Sequence, residues 1–238
     1  MPSCAIFVPA YNAARTIGSV IERIPAELWP TVVAAIVIAD GSGDGTGAAV
    51  ARLQARFPEV RLTVHPDNRG YGAAVRTGLR LGRETGADYV VCLHADEQYP
   101  PEKLPAFIGH MAAKGIDVLQ GSRHLEGGAR QGGMPLYKIV AGKVLTWMEN
   151  RAFGLSMTDY HSGFLLYSRR AVEMIPFDRL SHYFDLEVIA CARARGLRIA
   201  ELGIPTRYAG EESHLDPVWY GLRCLRVMLR HRMGRYDP

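Results

Sequence analysis

Apolar residues fall into runs and periods that alternate through the first half of the chain. Cys4 to Pro9 is an unbroken apolar run of strand length, the pattern of a strand buried on both faces. Ile17, Val20, Ile21 and Ile24 then recur three and four residues apart, predicting a helix over Ala13–Arg23. Val32–Ala39 is a second strand, closed by DGSGDGTG, with a helix from about Ala48 to Phe57. Arg61–His65 is a third, leading through PDNRGYG into a helix over Ala73–Glu84, and Tyr89–His94 is a fourth. Strands alternating with helices predict an α/β fold, a mostly parallel sheet with helices on both faces.

The second half is less regular. Strands are expected at Asp117–Gly121 and Gly163–Tyr167, with one or two over Arg198–Tyr208 around Pro205. Helices are expected over about Pro135–Phe153, Tyr183–Arg195 and Pro217–Met233. No repeat, low-complexity tract or linker separates the halves, so they are expected to pack as one domain of 238 residues.

Composition narrows the class. With 48% hydrophobic and 22% charged residues the chain reads as a soluble globular protein. A net charge of +4 suits anionic ligands without marking a nucleic-acid binder. Cys4, Cys92, Cys191 and Cys224 form no CxxC pair, so free buried thiols in a reducing cytosol are expected rather than a zinc site or disulfides. The N-terminus lacks the pattern of a signal peptide, and the longest apolar run, Val32–Ala39, is too short to span a bilayer. The expectation is a cytoplasmic protein, or one lying on the inner face of a membrane.

Ligands of parallel α/β sheets bind beyond the carboxyl ends of the strands. Pro9–Asn12, Asp40–Ser42, Asn68–Gly70 and His94–Asp96 all fall there. Within GSGDGTGA, Gly43, Gly45 and Ala48 fit a loose dinucleotide fingerprint. Against it, Asp40 and Asp44 would face a pyrophosphate, and the motif follows the second strand rather than the first; the plainer reading is a glycine turn with Asp44 capping a helix. Asp40, leaving a buried strand, suits the N–H of a nucleobase such as uracil or guanine. Gly70 and Gly72 precede a helix, which gives either a backbone N–H cradle near Arg76 or a loop with unusual dihedrals. His94, Asp96 and Gln98 alternate at a strand end, where side chains two apart share a face and present metal or phosphate ligands. A satisfied polar cluster is the alternative, and the convergence of four loops favours ligands.

The ordered set FVPAYNAARTI, VIADGSGDGT, NRGYGAAVRTG, DYVVCLHADEQYPPEKLP, DYHSGFLLYSRRAVE and FDLEVIACARARGLRIAELGIPTRY resembles the motifs of family 2 glycosyltransferases of GT-A fold. Among these it is most similar to the polyprenyl- and dolichyl-phosphate mannose and glucose synthases, over about residues 4–215. The resemblance implies a Rossmann-like half for a UDP- or GDP-sugar donor (1–100) and a smaller acceptor half (101–215), and the residue pattern adds a basic amphipathic C-terminal helix (216–238). It implies that Pro9, Ala10, Tyr11 and Asn12 flank the nucleoside, and that Asp40 reads the base. Asp96 and Gln98 match the metal-binding D-x-D-x-Q positions, Arg123 and Lys138 fall where acceptor phosphate is held, and Asp159, Ser162, Gly163 and Phe164 match a D-x-x-S-G-F wall of the sugar site. The chain departs from the pattern at Ala13 (commonly Glu), Ala39 (commonly Asp), Gly142 (Ser) and His94 (Asp), the last resembling a subset with His before D-x-Q-Y.

The chemistry follows. A divalent cation at Asp96 would stabilise the leaving diphosphate, and the imidazole of His94 tilts the choice from Mg²⁺ toward Mn²⁺. Alternatively, His94 protonates and touches the diphosphate itself. A hydroxyl acceptor needs a base, for which Asp185 is the candidate and Asp159 the second, although Asp185 also reads as an acid in a helix's first turn. A polyprenyl phosphate needs cations instead, and Arg123, Arg130 and Lys138 offer them. The resemblance implies inversion at the anomeric carbon. In the last helix Trp219, Leu222, Leu225 and Leu229 lie on one side, with Arg223, Arg226 and Arg230 on another. Such a helix caps a core with its arginines in water, or lies on an anionic membrane; the first reading is preferred. The competing functions are transfer to a soluble hydroxyl compound and nucleotide-sugar binding without turnover.

Overall fold

The computed structural model describes residues 1–125, 136–181, 184–205 and 217–237. One seven-stranded sheet runs through both halves: β1 (Cys4–Ala10), β2 (Val32–Asp40), β3 (Val60–His65), β4 (Tyr89–Cys92), β5 (Val118–Ser122), β6 (Leu165–Ser168) and β7 (Ile199–Gly203). Their order across the sheet is β3-β2-β1-β4-β6-β5-β7. β1 pairs in parallel with β2 on one side and β4 on the other, so the strand order reverses there and a crevice opens at the carboxyl ends. β6 is the exception to the parallel arrangement, antiparallel to both β4 and β5. Because it enters the sheet at the crevice edge, the segment before it, Asp159 to Phe164, is delivered beside the end of β4. The end of β5, carrying Ser122 and Arg123, arrives at the same edge.

Both sheet faces are buried, which is why the strands read as continuous apolar runs. Phe7, Ile38, Val90 and Tyr167 point into one core layer. Ile6, Val8, Val37 and Val91 point into the other, with the period of two that a strand imposes. The helices are α1 (Ile17–Glu22), α2 (Thr46–Gln54), α3 (Tyr71–Glu84), α4 (Leu104–Lys114), α5 (Leu136–Phe153), α6 (Arg169–Met174), α7 (Phe184–Ala194) and α8 (Pro217–Arg232). α4 was not expected, because the prolines at 100, 101 and 105 mask its signal. That signal is present: Leu104, Phe107, Ile108 and Met111 are buried at helical spacing, and Gly115 at φ 61° ends the helix. α1 starts later than expected, since residues 13–16 form a turn in which the Ala13 carbonyl accepts the amides of Thr16 and Ile17.

α8 caps the core with Arg223 and Arg226 exposed, as in the preferred reading, but through a different face from the expected apolar side. Its packed face is Cys224, Val227 and Met228, while Trp219, Leu222, Leu225 and Leu229 are exposed. α5, packed against it, likewise exposes Tyr137, Val140, Val144 and Trp147. All four cysteines are buried and free. Among the described residues, no helix is long and apolar enough to cross a membrane.

α3 lies close on the sheet. A Cβ at Gly78 would run into the Phe7 ring, and one at Gly82 would come within 2.7 Å of Val90 Cγ1. Gly109 in α4 has nothing within 4 Å of such an atom. Gly78→Ala is therefore expected to destabilise the fold by about 1–3 kcal/mol through overpacking. Gly109→Ala should stabilise it by up to about 1 kcal/mol through helix propensity. Urea unfolding of the two variants checks the contrast.

Candidate active site

The crevice is built on a buried carboxylate. Asp40, 3% exposed at the end of β2, accepts hydrogen bonds from the backbone amides of Arg69 (3.0 Å) and Gly70 (2.8 Å). His65 Nδ1 lies 2.6 Å from its Oδ1, and His65 Nε2 lies 3.0 Å from Thr77 Oγ1 in α3. Two expectations are corrected together here. Asp40 is the anion that the Gly70 cradle binds, so neither stands open for a nucleobase or a phosphate. Gly41, at φ 65°, lets this loop close: a side chain there would run into the Asn68 backbone. Arg76 points elsewhere and donates to the Leu180 carbonyl.

A second carboxylate ties the neighbouring loops. Asp44 accepts from the amides of Ala14 (2.9 Å) and Thr46 (3.0 Å) and from the Thr46 hydroxyl (2.5 Å). The Asn12 amide donates to Ser42 Oγ at 3.0 Å, and Asn12 Oδ1 accepts from Gly43 at 3.2 Å. The glycine-rich segment is thus a turn wrapped around Asp44, which bonds the first amide of α2 while Gly45 holds the cap position. What remains open is a cleft of about 380 Å³ between Pro9, Tyr11 and Asn12 on one side and Tyr71, His94 and Asp96 on the other. Ala10 is buried in β1 behind it. A larger cavity of about 470 Å³, between Glu187, Arg195, Arg230 and Tyr236, holds none of the candidate residues.

His94, Asp96 and Gln98 are not set out by strand alternation. β4 ends at Cys92, and the chain turns through Glu97 at φ 63° while Asp96 Oδ1 accepts the Gln98 amide at 3.1 Å. Asp96 is exposed on the cleft, and Gln98 does not line it. The His94 ring stands edge-on to Tyr99, centroids 4.8 Å apart, with Nε2 3.2 Å from the Tyr71 hydroxyl. It rests on Gly163, where a Cβ would come within 2.5 Å of the ring. Burial pushes the imidazole below its ordinary value, against the pull of Asp96, so the ring is neutral at neutral pH. An exposed carboxylate beside a neutral imidazole is a donor set that fits a borderline divalent ion such as Mn²⁺.

Tyr71 links this turn to the other half. Its hydroxyl, between the glycines of NRGYG at the first position of α3, donates to Asp185 Oδ1 at 3.4 Å. In the sequence Tyr71 shows only as an aromatic residue where a glycine loop enters a helix. Asp185, in the first turn of α7, keeps a partial opening to solvent, yet the surrounding protein pushes its carboxyl up to about 7. Tyr71, His161 and Arg123 pull in the opposite direction.

Asp159 is not available as a base. It is 1% exposed and takes a two-pronged bond from Arg123 (Nε 2.8 Å, Nη2 3.0 Å), plus the amides of Arg123 and His161. Burial raises its carboxyl, but the guanidinium more than offsets this and holds it below the usual range. The pair pins the end of β5 to the segment before β6. Ser162 is fully buried, its carbonyl accepting from Gln120 and its hydroxyl 3.4 Å from the Phe164 amide. It supports the wall from behind rather than facing an acceptor. Arg130 lies outside the described residues; Lys138 lies on α5 with its side chain outside them.

The family model "Glycosyl transferase family 2" matches residues 5–175. The chain is 31% identical over 235 residues to the low-salt glycan biosynthesis hexosyltransferase Agl6 of Haloferax volcanii, covering 98% of this chain and 54% of that protein. It is 27% identical to the undecaprenyl-phosphate mannosyltransferase of Micrococcus luteus, covering 95% of this chain and 97% of that one. It is 26% identical to the UDP-N-acetylglucosamine–dolichyl-phosphate N-acetylglucosaminyltransferase of Methanococcus voltae, over 97% and 96% of the two. Among solved structures, glucosyl-3-phosphoglycerate synthase of Mycobacterium tuberculosis superposes with TM-score 0.71 at 22% identity, over 100% of this chain and 82% of that one. That likeness and the strand order bear out the expected mixed α/β GT-A fold, with its mostly parallel seven-stranded sheet. The chain belongs to glycosyl transferase family 2.

Proposed function

We propose that the chain is an inverting glycosyltransferase that moves a sugar from a UDP- or GDP-sugar to a polyprenyl phosphate at a membrane surface. The observation that carries this reading is the line Asp96, His94, Tyr71, Asp185, which runs from the open cleft to the segment walled by Asp159 and Arg123. Relatives named for undecaprenyl and dolichyl phosphate support the acceptor. The exposed apolar stripes of α5 and α8, flanked by Arg223 and Arg226, suit an anionic lipid surface.

Donor diphosphate enters the cleft between Tyr11 and Asp96. Asp96, with His94 beside it, would hold a Mn²⁺ or Mg²⁺ ion; both ions occur with UDP in structures of the similar synthase. When bound, the ion neutralises charge on the leaving diphosphate. The neutral ring of His94 serves as a ligand or a hydrogen-bond donor rather than as a cation. Asp40 acts indirectly, by fixing the loop that places Tyr71. The phosphate acceptor is already mostly ionised, its second pKa being about 6, and attacks the anomeric carbon opposite the diphosphate without a base.

A second reading rests on Asp185. A carboxyl near neutrality beside the sugar site is the environment of a general base, which a hydroxyl acceptor needs. A structure of the similar synthase holds phosphoglyceric acid together with its donor.

Three measurements follow. Asp96→Asn should lower kcat/KM about 100-fold or more and abolish the enhancement of UDP or GDP binding by Mn²⁺ in calorimetry. Retained enhancement would remove Asp96 from the metal site. A base at Asp185 must be ionised, so with a hydroxyl acceptor activity falls as pH drops below about 7. Tyr71→Phe removes a bond that favours the ionised form and should move that limb to higher pH. With undecaprenyl phosphate no such limb is expected, and Asp185→Asn should cost less than tenfold. Finally, Leu222→Glu with Leu229→Glu should abolish co-sedimentation with anionic vesicles while leaving nucleotide binding intact. Unchanged sedimentation would detach the apolar stripe from membrane binding.

A further inference from the structure

Outside the cleft, three side chains from distant parts of the chain meet in the second half. Glu149 lies on α5, His161 on the segment before β6, and Cys224 on α8; one ligand atom from each lies within 4.8 Å of the others. Glu149 is fully buried and Cys224 is 3% exposed. Glu149 Oε1 and His161 Nε2 are 3.1 Å apart but off the line of a hydrogen bond. Among the described residues, neither Glu149 oxygen nor His161 Nε2 has a hydrogen-bond partner. Leaving such atoms unmade costs roughly 1–3 kcal/mol each, more for a charged group.

The buried oxygen and nitrogen, within ion-pair distance of each other, share one small space with the Cys224 sulfur. Two ligands bound at about 2.0 Å to a tetrahedral ion sit about 3.3 Å apart, close to the observed separation. The other ring nitrogen of His161 is 2.8 Å from the Tyr220 hydroxyl. That contact holds the ring in place, and with the Nδ1 proton donated to the hydroxyl Nε2 would be left as the metal-binding nitrogen, the usual outer support of a metal-bound histidine. A thiolate, an imidazole and a carboxylate suit Zn²⁺, which tolerates mixed sulfur, nitrogen and oxygen ligands.

We propose that Glu149, His161 and Cys224 bind one Zn²⁺ ion, distinct from any ion at Asp96. Binding releases the Cys224 thiol proton to solvent, and the ion balances the charge of the thiolate and the Glu149 carboxylate. The ion clasps α8 to α5 and to the segment holding Asp159, so that the exposed helical face and the Arg123–Asp159 pair move as one body. The ligands stand 12 and 63 positions apart in sequence, which is why no zinc spacing is legible.

The test uses the full chain without nucleotide. After dialysis against Mg²⁺, mass spectrometry of the metal content should find one zinc per chain. Replacement by Co²⁺ should give visible d–d bands and a near-ultraviolet thiolate-to-cobalt band. Cys224→Ser should lose the thiolate band, and Asp96→Asn should keep it. Glu149→Gln should weaken zinc binding by at least the roughly 10–100-fold that even an outer partner is worth. A wild-type cobalt protein without the thiolate band overturns the proposal, whatever the stability of the variants. So does a band that persists in Cys224→Ser, or zinc well below one per chain after reloading.

Discussion

The buried carboxylate of Asp40 sets the geometry on which the site depends. It sits where α3 begins, so the partial positive charge of the helix N-terminus and two backbone amides converge on it. His65 from β3 completes the shell and is itself held by Thr77, one turn and a half into the same helix. One acidic side chain therefore locks the ends of two strands to the start of one helix. The first residue of that helix is Tyr71, whose hydroxyl stands between His94 and Asp185. A shift of the loop would therefore move the Tyr71 hydroxyl relative to His94 and Asp185.

The second constraint is the reversal of β6. Antiparallel to β4 and β5, it brings the Asp159–Phe164 segment to the crevice edge instead of the opposite one. Gly163 is then pressed under the His94 ring, its amide donating to Tyr99, and Phe164 stacks on the Tyr99 ring. The two halves meet through this aromatic stack, which excludes water from one side of His94. That enclosure is the reason its proton affinity falls.

Much of this was legible in the sequence, and the failures have physical reasons. Strands buried on both faces announce themselves as apolar runs, so the strands were readable, but not their order across one sheet or the direction of β6. The loops at the strand ends were also readable as a converging set. The pairings inside that set were not. Asp40 and Gly70 each had the chemistry expected of them, an acceptor and a donor, but they satisfy one another. His94, Asp96 and Gln98 were placed by assuming that a strand continued, whereas an Asx-type bond at Asp96 turns the chain. Tyr71 and the Glu149–His161–Cys224 group depend on contacts between distant segments, which local patterns do not carry.

The histidine at position 94 can be given a structural reason. Position 94 is enclosed by Tyr71, Tyr99 and Gly163, and Tyr71 also bonds Asp185. A carboxylate placed there would face Asp185 through a shared tyrosine. Like charges on either side of one hydroxyl repel each other, the more so where solvent is largely excluded. That repulsion favours keeping a proton on one of the two carboxyls. A neutral imidazole avoids the conflict. It offers a nitrogen to the tyrosine or to a metal without adding charge, and its flat ring fills the space above a glycine. Asp96 then supplies the anionic oxygen at the cleft, where it is open to solvent.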